Sequence, residues 1–265
     1  MTQNHKLTVR KLNIYGHLQS ETSEFIESYD EIEALEGHIC EFVYKSSPFA
    51  PSITLKELLA TEISDVIMYC TDISSLTPLR LPDTPSYDKM IRRELYYAAD
   101  KELERARVSA KIYCQLYNNF PYNLIQFRQF VLSLLIDSPN PWIETGVNFD
   151  YGINFKTGSN FYANHNFTVL DCGLVNIGDN CLVGPNVTFV GGTHPNDLDE
   201  RKAGLEYGVS ISVGSNVWFG AGAIVLGGCT IGDNVIVGAN SFVKSDIPSN
   251  CIVVGSPAKI VKLLN

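Results

Sequence analysis

A six-residue repeat of apolar residues constrains the fold of this chain more than any other feature. A large apolar residue stands at every sixth position in three blocks, which run from Phe149 to Phe167, from Ile177 to Phe189 and from Val213 to Val243. Glycine usually follows, and asparagine often stands two positions after it, as in IGDNCL, VGPNVT and VGSNVW. Neither an α-helix nor an ordinary strand has this period.

A chain that turns a corner every six residues explains the repeat. Three short parallel strands then complete one triangular coil, with the apolar residue inside and glycine or asparagine at the corner, where φ is often positive. Each coil supplies hydrogen-bond partners to the next, so such coils are stable in stacks. The sequence therefore predicts a mainly β fold over residues 139–265, a parallel β-helix of hexapeptide repeats.

A polar stretch, VGGTHPNDLDERKAGLEYGVSISVG, interrupts the repeat at residues 190–214. Phe189 and Val213 still lie a whole number of hexads apart, so the register survives while the intervening chain leaves the prism as a loop. A loop of this length inside a regular solenoid is usually functional. We expect the loop to span residues 191–211, and His194 stands at its start.

Two further parts precede the repeats. Residues 1–84 predict an appended, partly helical unit: SITLKELLATEISDVIMYC reads as a helix capped by Ser52, and EFIESYDEIEALEG as a helix ending at Gly37. We expect a packing or oligomerisation role for this unit, with regulation or partner binding as alternatives. A helical cap is predicted over residues 85–138, in which Ser86 is the N-cap of one helix and Asp100 is the N-cap of a second, which carries Arg107 off its apolar stripe.

Composition excludes several classes of protein. A formal net charge of −9 argues against nucleic-acid binding, which normally uses a basic surface. No apolar run approaches the ~20 residues of a membrane span. The seven cysteines form no C-x-x-C pair, and their odd number disfavours an extracellular disulfide framework. We therefore expect no nucleic-acid partner, no membrane span and a cytoplasmic location.

The motifs resemble those of the maltose and galactoside O-acetyltransferases. The matching stretches are NFYANHNFTVLD, IGDNCLVGPNVTF, THP, ERKAGLEYG, VGSNVWFGAGAIV, TIGDNVIVGANSFVKSDIP and VVGSPAKIVK, together with the helical pair from Tyr87. Residues 1–84 lie outside this resemblance. It implies a left-handed β-helix with a short C-terminal helix, acetyl-CoA as co-substrate, no metal, a sugar-like acceptor, and a homotrimer with sites between subunits.

The resemblance also assigns the reacting groups. Acyl transfer to a hydroxyl needs a base, and histidine suits this role at neutral pH. His194 matches the family's catalytic base, and Glu206 is the candidate carboxylate that orients it; the alternative for Glu206 is a structural or substrate-facing role. Five residues match the family's acceptor pocket: Arg107, Asp150, Tyr162, Asn164 and Asp171. Seven match positions near the cofactor, where the N–H of Ala221 is the oxyanion donor: Trp218, Gly220, Ala221, Ala239, Lys244, Lys259 and Lys262.

The sequence departs from the family pattern at two positions, and other functions occur on the same fold. Lys244 stands one position earlier than the family's lysine, which leaves its contact with the cofactor phosphates open. Ala98 replaces a side chain that could bind a sugar hydroxyl, which leaves the identity of the acceptor open. N-acetylation of an amino-sugar is an alternative to O-acetylation, because a histidine base serves either acceptor. A zinc hydratase on the same fold would need three histidines, but the repeats contain His165 and His194. A non-catalytic solenoid scaffold with an N-terminal interaction module is the alternative function.

Overall fold

The computed structural model describes residues 5–12, 18–26, 38–44, 65–72 and 76–265. The chain divides into two compact units, of which the first comprises Met1–Thr77 and Asn119–Leu132, and the second Pro78–Asn118 and Ser133–Asn265. The predicted boundary after residue 84 therefore lies inside the second unit. Residues 119–132, predicted as part of the cap, belong with the N-terminal unit instead.

The first unit contains a four-stranded sheet. Its strands are β1 (His5–Leu12), β2 (Leu18–Ile26), β3 (His38–Tyr44) and β4 (Asp65–Asp72), in the order β2-β1-β4-β3. β1 and β4 are parallel, whereas β2 and β3 pair antiparallel to their neighbours.

Both helices predicted for this unit need correction. Asp65–Cys70, the end of the first predicted helix, lies in β4, and Glu24–Ile26, the start of the second, lies at the end of β2. The other residues of these predictions, including Ser52 and Gly37, lie outside the described residues. Short apolar runs with β-branched residues fit a helix or a strand, and pairing with neighbouring strands decides between them.

Three helices precede the solenoid in the chain: α1 (Pro85–Ile91), α2 (Lys101–Asn119) and α3 (Ile125–Leu135). The N-cap of α1 is Thr84, whose hydroxyl accepts the N–H of Ser86, so the prediction of Ser86 as the cap was wrong. Asp100 caps α2 as predicted, because its Oδ1 accepts the N–H of Glu102 at 2.9 Å. A short strand, β5 (Tyr96–Tyr97), lies between the first two helices.

The second unit continues as the predicted parallel solenoid, whose strands form three faces. Face 1 contains β6 (Trp142–Ile143), β9 (Tyr162–Ala163), β12 (Leu182–Val183), β17 (Trp218–Phe219), β20 (Val235–Val237), β22 (Cys251–Val254) and β23 (Lys259–Leu263). Face 2 contains β7 (Asn148–Phe149), β10 (Thr168–Leu170), β13 (Thr188–Val190), β18 (Ile224–Leu226) and β21 (Phe242–Val243). Face 3 contains β8 (Phe155–Thr157), β11 (Val175–Ile177), β16 (Ile211–Val213) and β19 (Thr230–Ile231).

The inward residues of the three faces form one continuous core. A column of phenylalanine rings fills its first coils, and each ring contacts the next in a tilted or edge-to-face arrangement. Phe189, for example, is fully buried, with ring centroids 5.5 Å from Phe167 and 5.2 Å from Phe219. The apolar positions of the sequence repeat are thus the interior of the prism.

The three corners of the prism differ. Asparagines with positive φ occupy the 3–1 corner (from face 3 to face 1) and the 1–2 corner, and Asn160 Nδ2 donates to Asn180 Oδ1 of the next coil at 2.9 Å. The 2–3 corner varies in length and includes residues 150–154, 171–174 and 191–210. Because this corner takes extra residues, Phe149 pairs with Val169 of the next coil rather than with Phe167.

The chain ends in a strand, not in the predicted short helix. β23 (Lys259–Leu263) runs antiparallel to β22 and closes face 1. The edge of β22 offers hydrogen-bond partners that an isolated five-residue helix would lack.

Candidate active site

The polar loop leaves the solenoid at the 2–3 corner and folds into a hairpin. β14 (Gly192–Thr193) and β15 (Leu205–Gly208) pair antiparallel, and β15 pairs on its other side with β5 of the cap. Gly208 lies where these parts meet, since a Cβ there would come within 2.4 Å of the Met90 carbonyl oxygen. The loop is therefore held between the solenoid and the cap, with His194 directly after β14.

A short helix and one arginine shape the chain around His194. Asp197 caps α4 (Leu198–Lys202) by accepting the N–H groups of Asp199 and Glu200, both at 2.9 Å. Arg201 Nη1 donates back to the carbonyl oxygens of Pro195 at 2.8 Å and Asn196 at 3.1 Å. Arg201 thus ties α4 to the residues that directly follow His194, while the imidazole stays 62% exposed.

A carboxylate lies beside the imidazole. Glu206 Oε1 is 3.9 Å from His194 Nδ1, and the Glu206 side chain is 27% exposed. The other carboxylate oxygen, Oε2, accepts the hydroxyl of Tyr96 at 2.8 Å. The structure thus brings the two predicted catalytic residues together and places a tyrosine, not identified from the sequence, behind the carboxylate.

Arg107 and Asp150 lie near this pair. Arg107 Nη1 donates to the hydroxyl of Tyr151 at 2.6 Å, and Nη2 donates to the carbonyl oxygen of Ala98 at 2.7 Å. Burial raises the pKa of Asp150, a shift that the neighbouring Lys111 and Arg107 oppose and Glu206 reinforces. Arg107, Asp150 and Glu206 therefore form a cluster of charged side chains near the 2–3 corner.

Asp171 occupies the same corner but lies beneath its surface. It is fully buried, and its two oxygens accept the N–H groups of Tyr151 at 2.8 Å and Asn154 at 3.3 Å. Burial raises its pKa from 3.8 to about 7, against the effect of these N–H donors. Asp171 was predicted to line the acceptor pocket, but the structure gives it no surface that an acceptor could contact.

The other two predicted acceptor residues lie elsewhere in the chain. Tyr162 is on face 1, and Asn164 follows it at the 1–2 corner, where its Oδ1 accepts the N–H of His165 at 2.7 Å. Within one chain, these residues are separated from His194 by face 2.

Six of the seven predicted cofactor residues lie on face 1 or at the 1–2 corner, on the same side as Tyr162. Trp218 projects from face 1 and is 52% exposed, and Ala221 lies exposed at the 1–2 corner. No backbone carbonyl among the described residues accepts the N–H of Ala221. Gly220 directly precedes Ala221, and Ala239 lies at the same corner one coil later. Lys244 follows β21 at the 2–3 corner, and Lys259 and Lys262 lie on the exposed strand β23.

The described ranges contain neither a cluster of metal ligands nor a membrane-spanning helix. These residues contain no group of three or more histidine, cysteine or acidic side chains that could hold a metal ion. They also contain no helix long and apolar enough to cross a membrane. Cys114, Cys172, Cys181, Cys229 and Cys251 are buried free thiols, and burial raises the pKa of Cys114 to about 12.

Three family descriptions match the chain. The maltose acetyltransferase hexapeptide capping motif matches residues 89–137, the bacterial transferase hexapeptide matches residues 210–245, and the hexapeptide repeat of succinyl-transferase matches residues 174–194. The first of these covers the cap, and the other two cover the solenoid on both sides of the loop.

Individual proteins extend the match across both parts. The chain is 41% identical to a Schizosaccharomyces pombe protein named as an acetyltransferase, and the match covers 69% of the chain and 93% of that protein. It is 32% identical to the galactoside O-acetyltransferase of Lactococcus lactis, and this match covers 70% of the chain and 91% of that protein. The maltose O-acetyltransferase structure from Clostridium difficile superimposes with a TM-score of 0.67 at 37% identity, covering 69% of this chain and 98% of that one. The structure of a galactoside acetyltransferase in complex with coenzyme A superimposes with a TM-score of 0.66 at 34% identity, covering 69% of this chain and 92% of that one. The chain therefore belongs to the maltose and galactoside O-acetyltransferase family, with its left-handed hexapeptide-repeat β-helix.

Proposed function

We propose that this enzyme transfers an acetyl group from acetyl-CoA to a hydroxyl of a sugar or similar polyol, with His194 as the general base. The observation that carries this proposal is the pairing at the 2–3 corner. An exposed imidazole there has a carboxylate 3.9 Å behind its Nδ1. This leaves Nε2 as the nitrogen that takes the proton of the acceptor hydroxyl.

The division of tasks among the residues follows from their chemistry. Glu206 orients the imidazole and stabilises its protonated form, as carboxylates do behind catalytic histidines. A well-placed general base is worth about 10²–10⁴ in rate. Ala221 donates its N–H to the thioester oxygen as negative charge develops there, and a donor of this kind is typically worth about 3–4 kcal/mol.

Acetyl-CoA, the co-substrate, fits the residues on face 1 and the 1–2 corner. The exposed indole of Trp218 offers an apolar surface to the pantetheine chain, and the N–H of Ala221 has no backbone acceptor of its own among the described residues. Lys259 and Lys262 are exposed cations on β23 that suit the nucleotide phosphates. A structural neighbour solved with coenzyme A supports this assignment.

We further propose that the active site forms between subunits of a homotrimer. His194 lies at the 2–3 corner, whereas Trp218 and Ala221 lie on face 1 and at the 1–2 corner, so a second copy has to supply the missing half of each site. Face 1 also presents a column of outward apolar residues in register, with Trp142 37%, Leu182 50% and Trp218 52% exposed. Exposed apolar surface of this extent is typical of protein interfaces.

The acceptor pocket supports a hydroxyl-rich ligand. Arg107 is fixed by two hydrogen bonds and lies with its guanidinium carbon 5.6 Å from the centroid of the Tyr151 ring, so charged and aromatic groups stand side by side. Asp150 adds an acceptor for hydroxyl protons. Polar groups held at fixed positions suit a hydroxyl-rich ligand such as a sugar.

Release of free thiol from acetyl-CoA in the presence of maltose, a galactoside and other sugars tests the proposal. The wild type is compared with His194→Ala, and His165→Ala, which changes the exposed histidine at the 1–2 corner, is the matched control. We expect acceptor-dependent turnover that falls about 10²–10⁴-fold in His194→Ala and persists in the control. Equal turnover in both variants would contradict the assigned base. A protein that did not bind acetyl-CoA would instead favour the scaffold function.

The assembly is tested separately. Sedimentation equilibrium should give three times the chain mass of 29.4 kDa. A monomer that is fully active would refute the shared site.

A further inference from the structure

The cap is joined to the catalytic loop by a three-stranded sheet, β14-β15-β5. In its register, Glu206 of β15 stands opposite Tyr96 of β5, and Leu205 stands opposite Tyr97. Just beyond the strands, the N–H of Ala98 donates to the carbonyl oxygen of Gly204 at 3.2 Å. The backbone of the cap therefore fixes the position of Glu206 along the loop.

The side chain of Tyr96 is enclosed by its neighbours. It is 1% exposed and belongs to an apolar cluster with Met90, Leu103, Tyr151 and Cys172. Its hydroxyl donates to Glu206 Oε2 at 2.8 Å. A ring enclosed in this way presents its hydroxyl in one direction, since rotation would displace the surrounding side chains.

The hydroxyl is also a permanent donor. Burial, together with the nearby Cys172 and Glu206, raises the pKa of Tyr96 far above its ordinary value. The phenol therefore keeps its proton throughout the pH range in which a histidine base works.

We propose that Tyr96 is a positioning residue for the reaction: by binding Glu206 Oε2, it holds Oε1 towards His194 Nδ1 and so keeps Nε2 free to accept the proton. The inference rests on the proposed role of His194. The 3.9 Å between Nδ1 and Oε1 exceeds a hydrogen bond, and catalytic hydrogen bonds are often this long before the substrate binds. A carboxylate that only the imidazole restrained would be free to turn away, because the Glu206 side chain reaches solvent.

The kinetic test compares Tyr96→Phe with Tyr97→Phe. The control removes a hydroxyl from the neighbouring residue of the same strand, whose ring is 51% exposed. A hydrogen bond to a charged group is stronger than one between neutral groups, so we expect kcat of acetyl-CoA-dependent thiol release to fall about 10-fold in Tyr96→Phe. The KM values for acetyl-CoA and maltose should stay within about two-fold. Circular dichroism checks that both variants fold.

A double-mutant cycle separates positioning from packing. If Tyr96 acts through Glu206, Tyr96→Phe should cost almost nothing further in a Glu206→Gln background, because the two changes break the same chain of contacts. Additive losses would contradict the proposal. An unchanged kcat in the single variant would also contradict it.

A readout that needs no turnover is the tautomer of His194, measured from the side-chain nitrogen shifts and assigned with His194→Gln. We expect the neutral ring of the wild type and of Tyr97→Phe to carry its proton on Nδ1, and the ring of Tyr96→Phe to be a mixture. The same tautomer in all three proteins would overturn the positioning role. If instead His194→Ala remained fully active while the tautomer shifted as expected, the proposed base would be wrong and the coupling through Glu206 would stand.

Discussion

Replacing Asp171 by asparagine should remove a pH dependence from the folding stability of this protein. The carboxylate is fully buried, and burial raises its pKa from 3.8 to about 7 although two backbone N–H groups bind it. The folded chain therefore takes up a proton that the unfolded chain releases near pH 4. Stability falls as pH rises through the window between these two pKa values, and the loss is complete above pH 8 or so.

The size of the effect follows from the shift. One pKa unit corresponds to about 1.4 kcal/mol, so a shift from 3.8 to about 7 amounts to about 4 kcal/mol over the whole window. Between pH 6 and pH 8, a group that titrates near 7 accounts for a loss of about 1.4 kcal/mol. Asparagine does not titrate and has nearly the same shape, so the variant should lack this part of the slope.

Urea unfolding at a fixed protein concentration, at pH 6, 7 and 8, measures the slope for both proteins. Asp179→Asn is the matched control, because Asp179 also accepts a backbone N–H, that of Ser159 at 2.7 Å, but from an exposed corner. Taking the difference between wild type and Asp171→Asn cancels the titration of all other groups. A difference that stayed constant from pH 6 to pH 8 would refute the argument that burial dominates this site.

Two further substitutions test the core and the loop. Phe189→Ala should lower the free energy of unfolding in urea by about 3–5 kcal/mol, because the ring is fully buried between Phe167 and Phe219 and its removal leaves a cavity. Phe189→Leu leaves a smaller cavity and should lower the free energy of unfolding clearly less. Equal losses in the two variants would contradict this explanation. Arg201→Ala should lower kcat of thiol release by about 10-fold, because it frees the carbonyls of Pro195 and Asn196, while the melting temperature changes little. A variant with full activity would show that the loop needs no such closure.

The solenoid could be predicted because its signals are local. The apolar residues of the repeat predict which positions are buried, and asparagines such as Asn160 and Asn234 predict the positive φ of the corners. The N-cap of α2 could also be predicted, because Asp100 accepts the N–H groups of Glu102 and Leu103, which lie within three residues of it. The loop could be placed because it preserves the count of hexads.

The relations between distant segments could not be predicted. Tyr96 and Glu206 are far apart in sequence, and nothing near either residue indicates the sheet that joins them. Asp171 follows a strand, where an aspartate is usually solvated, and its burial becomes evident only when the neighbouring coil is in place. The strands β4 and β23 depend in the same way on partners that local apolar patterns do not specify.

The asparagine columns have a consequence for how this fold can change. At two corners, amide side chains link neighbouring coils, as between Asn180 and Asn216 at 3.2 Å and between Asn166 and Asn186 at 3.1 Å. A residue added there would break the column in both directions. The 2–3 corner has no such column, and it already holds segments of different lengths, from 227–229 to 191–210. New acceptor specificities can therefore arise by lengthening or rebuilding one edge of the prism while the other two edges keep the coils in register.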